Sequence, residues 1–88
     1  MVTETVRIVN QMGFHMRPAG MFAREMQKFQ SSLTILCNGK SIDGKSVMQI
    51  MAGCMKQGAE LVLRCDGPDE REMLETAAGL IRGGLGEE

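Results

Sequence analysis

Asn38-Gly39 lies between two short stretches of alternating residues and constrains this chain more than any other pair. Asn-Gly is the favoured filling of a two-residue hairpin turn, because both central positions take positive φ. Before it, Leu33, Ile35 and Cys37 alternate with Thr34, Leu36 and Asn38; after it, residues 40–43 form a short strand. The second and third strands of the chain are therefore expected to be antiparallel neighbours. Two other segments share the period of two. In the first, Val2, Glu4, Val6 and Ile8 fall on one face, with Val6 and Ile8 inward. In the other, residues 60–66, Leu61, Leu63 and Cys65 fall on one face.

Between these strands the period changes to that of a helix. From about residue 16 to residue 29, Ala19, Phe22, Met26 and Phe29 make an apolar stripe, and Arg24, Glu25, Gln27 and Lys28 cover the other side. Pro18 falls in the first turn, where a missing N–H costs nothing, and it biases Arg17 away from helical dihedrals. Ser31-Ser32 should end this helix. Ser46 precedes Val47, Ile50, Met51 and Cys54, the pattern of an N-cap before a short helix, with Gly58 helping the chain out. After Gly67-Pro68, Asp69 and Glu72 have capping-box spacing, and Glu70 suits the helix dipole. Met73, Leu74, Ala77, Leu80 and Ile81 then form the inner stripe of the last helix. Gly83-Gly84 stops it, with residues 85–88 expected to fray.

The order is β-α-β-β-α-β-α. A helix between the first two strands demands a crossover, right-handed by default. One four-stranded sheet with helices on one face fits this order, its other face wetted through Thr34 and Arg64. The pattern alone does not order the strands.

With 88 residues the chain is expected to be one domain, residues 1–88. It has one histidine, His15, three Phe and no Trp or Tyr. A histidine-based zinc site would need more ligands, so no metal site is expected. Base stacking could draw only on Phe14, Phe22 and Phe29, and a Ser-His-Asp site would have to use His15. Net charge is −1 with Lys and Arg scattered, which excludes the electrostatic footprint of direct nucleic-acid binding. No apolar run reaches a membrane span, so no membrane insertion is expected. The opening MVTETVRIVN lacks the apolar core of a signal peptide. Cys37, Cys54 and Cys65 are an odd set without C-x-x-C spacing, expected to be small buried hydrophobes in a reduced, cytoplasmic setting.

His15 lies in Gly13-Phe14-His15-Met16-Arg17-Pro18-Ala19-Gly20, at the mouth of the first helix. A helix N-terminus carries partial positive charge and unsatisfied N–H groups, and binds anions. Arg17 adds a planar, permanently charged fork suited to phosphate oxygens. Imidazole is a usable nucleophile near pH 7, so a phosphoryl group on His15 would be held by backbone N–H groups and Arg17. The same spacing also suits a surface histidine that merely precedes a helix.

The stretch 13–19 resembles the active-site signature of the HPr family, the histidine-containing phosphocarriers of the bacterial sugar phosphotransferase system. Asn38-Gly39-Lys40, Lys45-Ser46-Val47-Met48 with Met51, Gly58-Ala59-Glu60 and Gly67-Pro68-Asp69-Glu70 extend the resemblance, in order, over essentially the whole chain. It implies an α+β open-faced β-sandwich: a four-stranded antiparallel sheet of order 1-4-2-3, covered on one face by three helices. It implies that the chain is a stoichiometric carrier and not an enzyme, needs no cofactor, and is monomeric. His15 would accept phosphate at Nδ1 from phosphorylated enzyme I, charged by phosphoenolpyruvate. It would pass the group to IIA domains of sugar permeases, with Arg17 stabilising the transfer.

Ser46 matches the position modified by an ATP-dependent HPr kinase/phosphorylase in many relatives. There, phosphoserine slows transfer and creates a corepressor for a catabolite-control transcription factor. Read without the resemblance, Ser46 is an ordinary N-cap. Nine methionines divide, on this reading, into core filler such as Met26 and Met73 and a partner-docking surface. That surface comprises Met16, Arg24, Met48 and Met51, with Met12 and Met55 as lesser candidates; flexible thioethers suit a surface that meets several partners. Met12, Met16, Gln49 and the Gly53-Cys54 pair depart from the usual family pattern. The alternative implied by those departures is a regulatory HPr-like interaction module, or a paralogue in catabolite control or a non-sugar phosphorelay.

Overall fold

The computed structural model describes residues 1–86. Strand β1 (Val2–Arg7) leads to helix α1 (Met16–Met26). Strands β2 (Ser32–Cys37) and β3 (Lys40–Asp43) follow, then helix α2 (Val47–Ala52), strand β4 (Glu60–Asp66) and helix α3 (Glu70–Arg82). The sheet order is β1-β4-β2-β3 and every neighbouring pair is antiparallel. The fold is thus α+β with the 1-4-2-3 order and three helices. β1 and β2 run parallel, and β4 is inserted between them.

Register explains why one face is dry. Ile35 pairs with both Ile42 and Leu63, Leu33 with Cys65, and Val6 with Leu61, so apolar residues line up across the sheet. All of these are buried, together with Cys37. Thr34 and Arg64, opposite each other on the other face, are only half-buried. α3 lies over β1 and β4, α1 over α3, and α2 against α1 and β3. Phe22, Met26, Ile50, Met73, Ala77 and Ile81 fill the layer between.

Several local expectations are corrected. α1 ends at Met26, before Phe29. Its exit tightens, with Lys28 N donating to Glu25 O and Phe29 N to Met26 O, each three residues back. The next two N–H groups, of Gln30 and Ser31, donate to the Asp69 carboxylate at 3.0 and 2.9 Å. Asp69 is therefore not a capping box for α3: its side chain makes no cap hydrogen bond there and instead bridges to Ser31, whose Oγ lies 2.6 Å away. α2 exits through Gly53 and Cys54, well before Gly58, and Cys54 takes a positive φ of 52° and is exposed, whereas Cys37 and Cys65 are buried. Leu85 does not fray. Gly84 N donates to Ile81 O and Leu85 N to Leu80 O, a Schellman closure with Gly84 at φ 86°, and Leu85 returns to the core. Residues 87–88 of the expected frayed tail lie outside the described residues.

Candidate functional site at the mouth of helix α1

The site is built on Gly13. Its φ is +63°, and a Cβ there would lie 2.3 Å from the carbonyl oxygen of Met55 and 2.7 Å from Cα of Lys56. Only glycine permits that approach. Phe14 N then donates to Met55 O at 2.9 Å, and its buried ring meets Phe22 edge-on with centroids 5.1 Å apart. Buried Asn10 closes the loop, its amide donating to Gly13 O at 2.9 Å. The chain therefore enters α1 from a fixed platform.

His15 is the N-cap, extended at φ −88° and ψ −171°, and its carbonyl accepts the first helical bond from Ala19 N. Its side chain makes no cap hydrogen bond. His15 is half-buried, Met16 and Arg17 are exposed, and Pro18 is buried. The first turn of α1 contains no acidic residue. An imidazole thus stands at the positive end of a helix dipole that no carboxylate of that turn offsets, with a guanidinium two residues on in the chain.

Ser46 caps α2, its Oγ accepting from Gln49 N at 3.2 Å. The segment before it is tied to the far end of α1: Gln27 Nε2 donates to Lys45 O, and Lys45 Nζ to Phe29 O. The mouth of α1, by contrast, is tied to Met55 and Lys56, beyond the end of α2. The two helices therefore run antiparallel, and the structure places Ser46 and His15 at opposite ends of the pair. Six residues of α2, roughly 9 Å of rise, intervene. Met48 and Met51 are exposed on α2, Met16 and Met12 are exposed beside His15, and Arg24 is exposed in the last turn of α1. Met55 is buried and takes no part in that surface. Gln49, one of the departures from the family pattern, accepts Asp43 N with its side-chain oxygen at 2.9 Å and stiffens the turn before Ser46.

Around the start of α3, neighbours shift three titrating groups. Hydrogen bonds from the Ser31 side chain and the Gln30 backbone hold the Asp69 carboxyl down at about 2. The N-terminal ammonium and Gly67 N–H lower Glu70. Burial, with Glu70 and Asp69 nearby, pushes the Cys65 thiol up to about 11, so it stays protonated and unreactive. Among the described residues no cluster of three or more His, Cys, Asp or Glu could hold a metal, and no helix is long and apolar enough to cross a membrane. Sequence reasoning misses the contact of Gly13 with residues 55–56. The available signal is a glycine in a strand-breaking segment ahead of the histidine.

Residues 2–82 match the family described as PTS-HPr, PTS HPr component phosphorylation site. The chain is 35% identical over 81 residues to the phosphocarrier protein HPr of Haemophilus influenzae, covering 92% of this chain and 95% of that one. The crystal structure of HPr from Thermoanaerobacter tengcongensis superposes with a TM-score of 0.95 at 35% identity, over 100% of this chain and 99% of that chain. The catabolite-repression protein Crh of Bacillus subtilis, crystallised as a swapped dimer, superposes with a TM-score of 0.77 at 32% identity, over 96% and 97%.

Proposed function

The chain belongs to the HPr family, non-catalytic phosphoryl carriers of the phosphotransferase system, and from that premise we propose that His15 is its phosphoryl acceptor. The observation that carries this reading is the position of His15: the N-cap of α1, with no acidic residue in the turn behind it. The donor is phosphorylated enzyme I and the recipients are IIA domains of sugar permeases. In each step a phosphorus–nitrogen bond forms or breaks at Nδ1 as the bond to the partner breaks or forms. Arg17 and the first N–H groups of α1 balance the phosphoryl charge. Partners meet a surface made by Met16, Arg24, Met48 and Met51. The working unit is a single cytoplasmic domain, residues 1–88, acting as a monomer.

Incubation with phosphoenolpyruvate and enzyme I should add one acid-labile phosphate, and His15→Ala should abolish it while the melting curve stays cooperative. Absence of labelling by a cognate enzyme I would remove the sugar-relay assignment. Sedimentation of the purified chain checks the monomer against a swapped dimer of the Crh kind.

A second reading is a regulatory module in catabolite control, favoured by half-buried Ser46 at the mouth of α2 and by the likeness to Crh. Phosphate on Ser46 would sit at a helix N-terminus without unfolding it, and would add negative charge beside Met48. Because Ser46 is remote from His15, it would act on partner docking and not on the imidazole itself. Acid-stable labelling by ATP and an HPr kinase/phosphorylase tests this. If Ser46→Asp alters neither transfer nor binding to a catabolite-control transcription factor, the switch has no support.

A further inference from the structure

Five of the six large hydrophobic residues that stand exposed among the described residues are methionines. They are Met1, Met12, Met16, Met48 and Met51, the sixth is Val9, and among the described residues no Leu, Ile or Phe joins them. Met12 and Met16 lie within three residues of His15 and are 65% and 70% exposed. Met48 and Met51, 83% and 38% exposed, project from α2, the helix whose exit segment supports the loop of His15. The methionines that hold the fold are sealed off: Met26, Met55 and Met73 are at most 2% exposed. Reactivity toward oxidants follows exposure, so Met12, Met16, Met48 and Met51 are open to oxidants while Met26, Met55 and Met73 are protected; Met1, also exposed, lies beside Asp66 and Glu70, and Met21 is half-buried.

We propose that Met12, Met16, Met48 and Met51 are reversible oxidation sites through which peroxide switches off docking at His15. Each thioether sulfur attacks one peroxide oxygen and the O–O bond breaks. A sulfoxide forms as sulfur loses two electrons, and the other oxygen leaves as water. A dithiol reductant returns two electrons and two protons, and the sulfoxide oxygen leaves as water. Oxidation turns flexible apolar side chains into strong hydrogen-bond acceptors. An apolar partner surface then has to bury polar groups without partners, which should slow docking-limited transfer by about tenfold. The inference rests on the carrier reading and adds a control to the same surface.

The test uses the full chain carrying Cys54→Ser, so that the exposed thiol does not contribute. The protein is treated with hydrogen peroxide, freed of it with catalase, mapped by peptide mass and then offered to phosphorylated enzyme I. Met1, Met12, Met16 and Met48 should gain oxygen first, Met51 next, half-buried Met21 later, and Met26, Met55 and Met73 only on unfolding. At the stage where only the exposed set is oxidised, circular dichroism should be unchanged and the labelling rate about tenfold lower. Methionine sulfoxide reductase should restore it. A variant with Met12, Met16, Met48 and Met51 all replaced by Leu and Met1 kept, whatever its own starting rate, should show the same rate before and after peroxide. An unchanged rate in the oxidised parent overturns the switch. So does a loss that appears only with oxidation of Met26, Met55 or Met73, or a Leu variant as sensitive as the parent. If the untreated protein takes no phosphate from enzyme I, the carrier reading itself fails and the switch falls with it.

Discussion

At the start of α1 the chain places His15, Met16 and Arg17 with no carboxylate; at the start of α3 it places Asp69, Glu70 and Glu72. Both ends have the same unsatisfied N–H groups and the same partial positive charge. At α3 that charge is met by the protein itself: Glu70 and Glu72 stand in the first turn. Asp69 is held by Ser31 and Gln30, and Glu70 by the N-terminal ammonium and Gly67 N–H. At α1 the supporting contacts are made by backbone, through Gly13 and Phe14 to Met55, and the helix end faces outward with a guanidinium beside it. An anion arriving from a partner has a favourable place at α1 and meets carboxylates at α3. The difference is one of charge: of these two helix mouths, only that of α1 leaves its partial positive end without a carboxylate in the first turn.

Breaking the backbone support should have the largest effect. In Gly13→Ala the new Cβ needs both a positive φ and the space of Met55 O, and we expect a loss of about 3 kcal/mol in urea unfolding. A loss below about 1 kcal/mol would mean that the platform is soft. Giving α1 the character of α3 comes next. Arg17→Glu should slow transfer from enzyme I by about a hundredfold, and Arg17→Ala by about tenfold, since the first adds repulsion to the loss of a charge-assisted bond. Arg17 is exposed, so melting temperatures should hardly move. Equal rates for the two variants would show that the charge of this helix end does not matter.

The same contrast separates features with local causes from features made by distant residues. Strand β4, the Asn38-Gly39 hairpin, the Ser46 cap and the inner stripe of α3 are legible in the sequence because their causes lie within a few residues: alternation, turn chemistry, a cap, a helical period. The place of His15 at the mouth of α1, with Arg17 two residues on, is legible for the same reason. The strand order comes only through the family resemblance, since alternation says which face is buried and nothing about neighbours. Asp69 has the sequence spacing of a cap, but its partners, Gln30 and Ser31, lie 39 and 38 residues away in the chain. Cys54 satisfies the apolar spacing of α2, yet the helix stops at Ala52, and a left-handed residue beyond it points off the stripe. Leu85 follows a glycine pair that reads as a stop; the reversal that buries it depends on Gly84 adopting positive φ against the end of α3.

The α3 mouth can be tested through acid. Asp69 has its carboxyl lowered from 3.8 to about 2 by hydrogen bonds made only in the folded chain. Its depressed value means that the folded state is favoured above the ordinary carboxylate range and loses that contribution as pH falls from about 4 toward 2. Asp69→Asn should therefore lower the melting temperature at pH 6 and flatten its fall between pH 4 and 2. The slope that remains would belong largely to Glu70, which is lowered in the same direction. An unchanged acid limb in Asp69→Asn would mean that the bridge to Ser31 does not depend on charge.

The smallest expected effect concerns the third mouth, at α2, where the contents are neither carboxylate nor histidine but the hydroxyl of Ser46 on Gln49 N. Ser46→Ala should cost about 1 kcal/mol, the usual loss on removing such a cap. It should leave transfer through His15 nearly unchanged, because the two mouths lie at opposite ends of the antiparallel pair. A Ser46→Ala protein that is fully stable but slow in transfer would contradict that separation. It would mean that the hydroxyl acts on partner docking even without phosphate, and that the α2 mouth belongs to the working surface as much as the α1 mouth does.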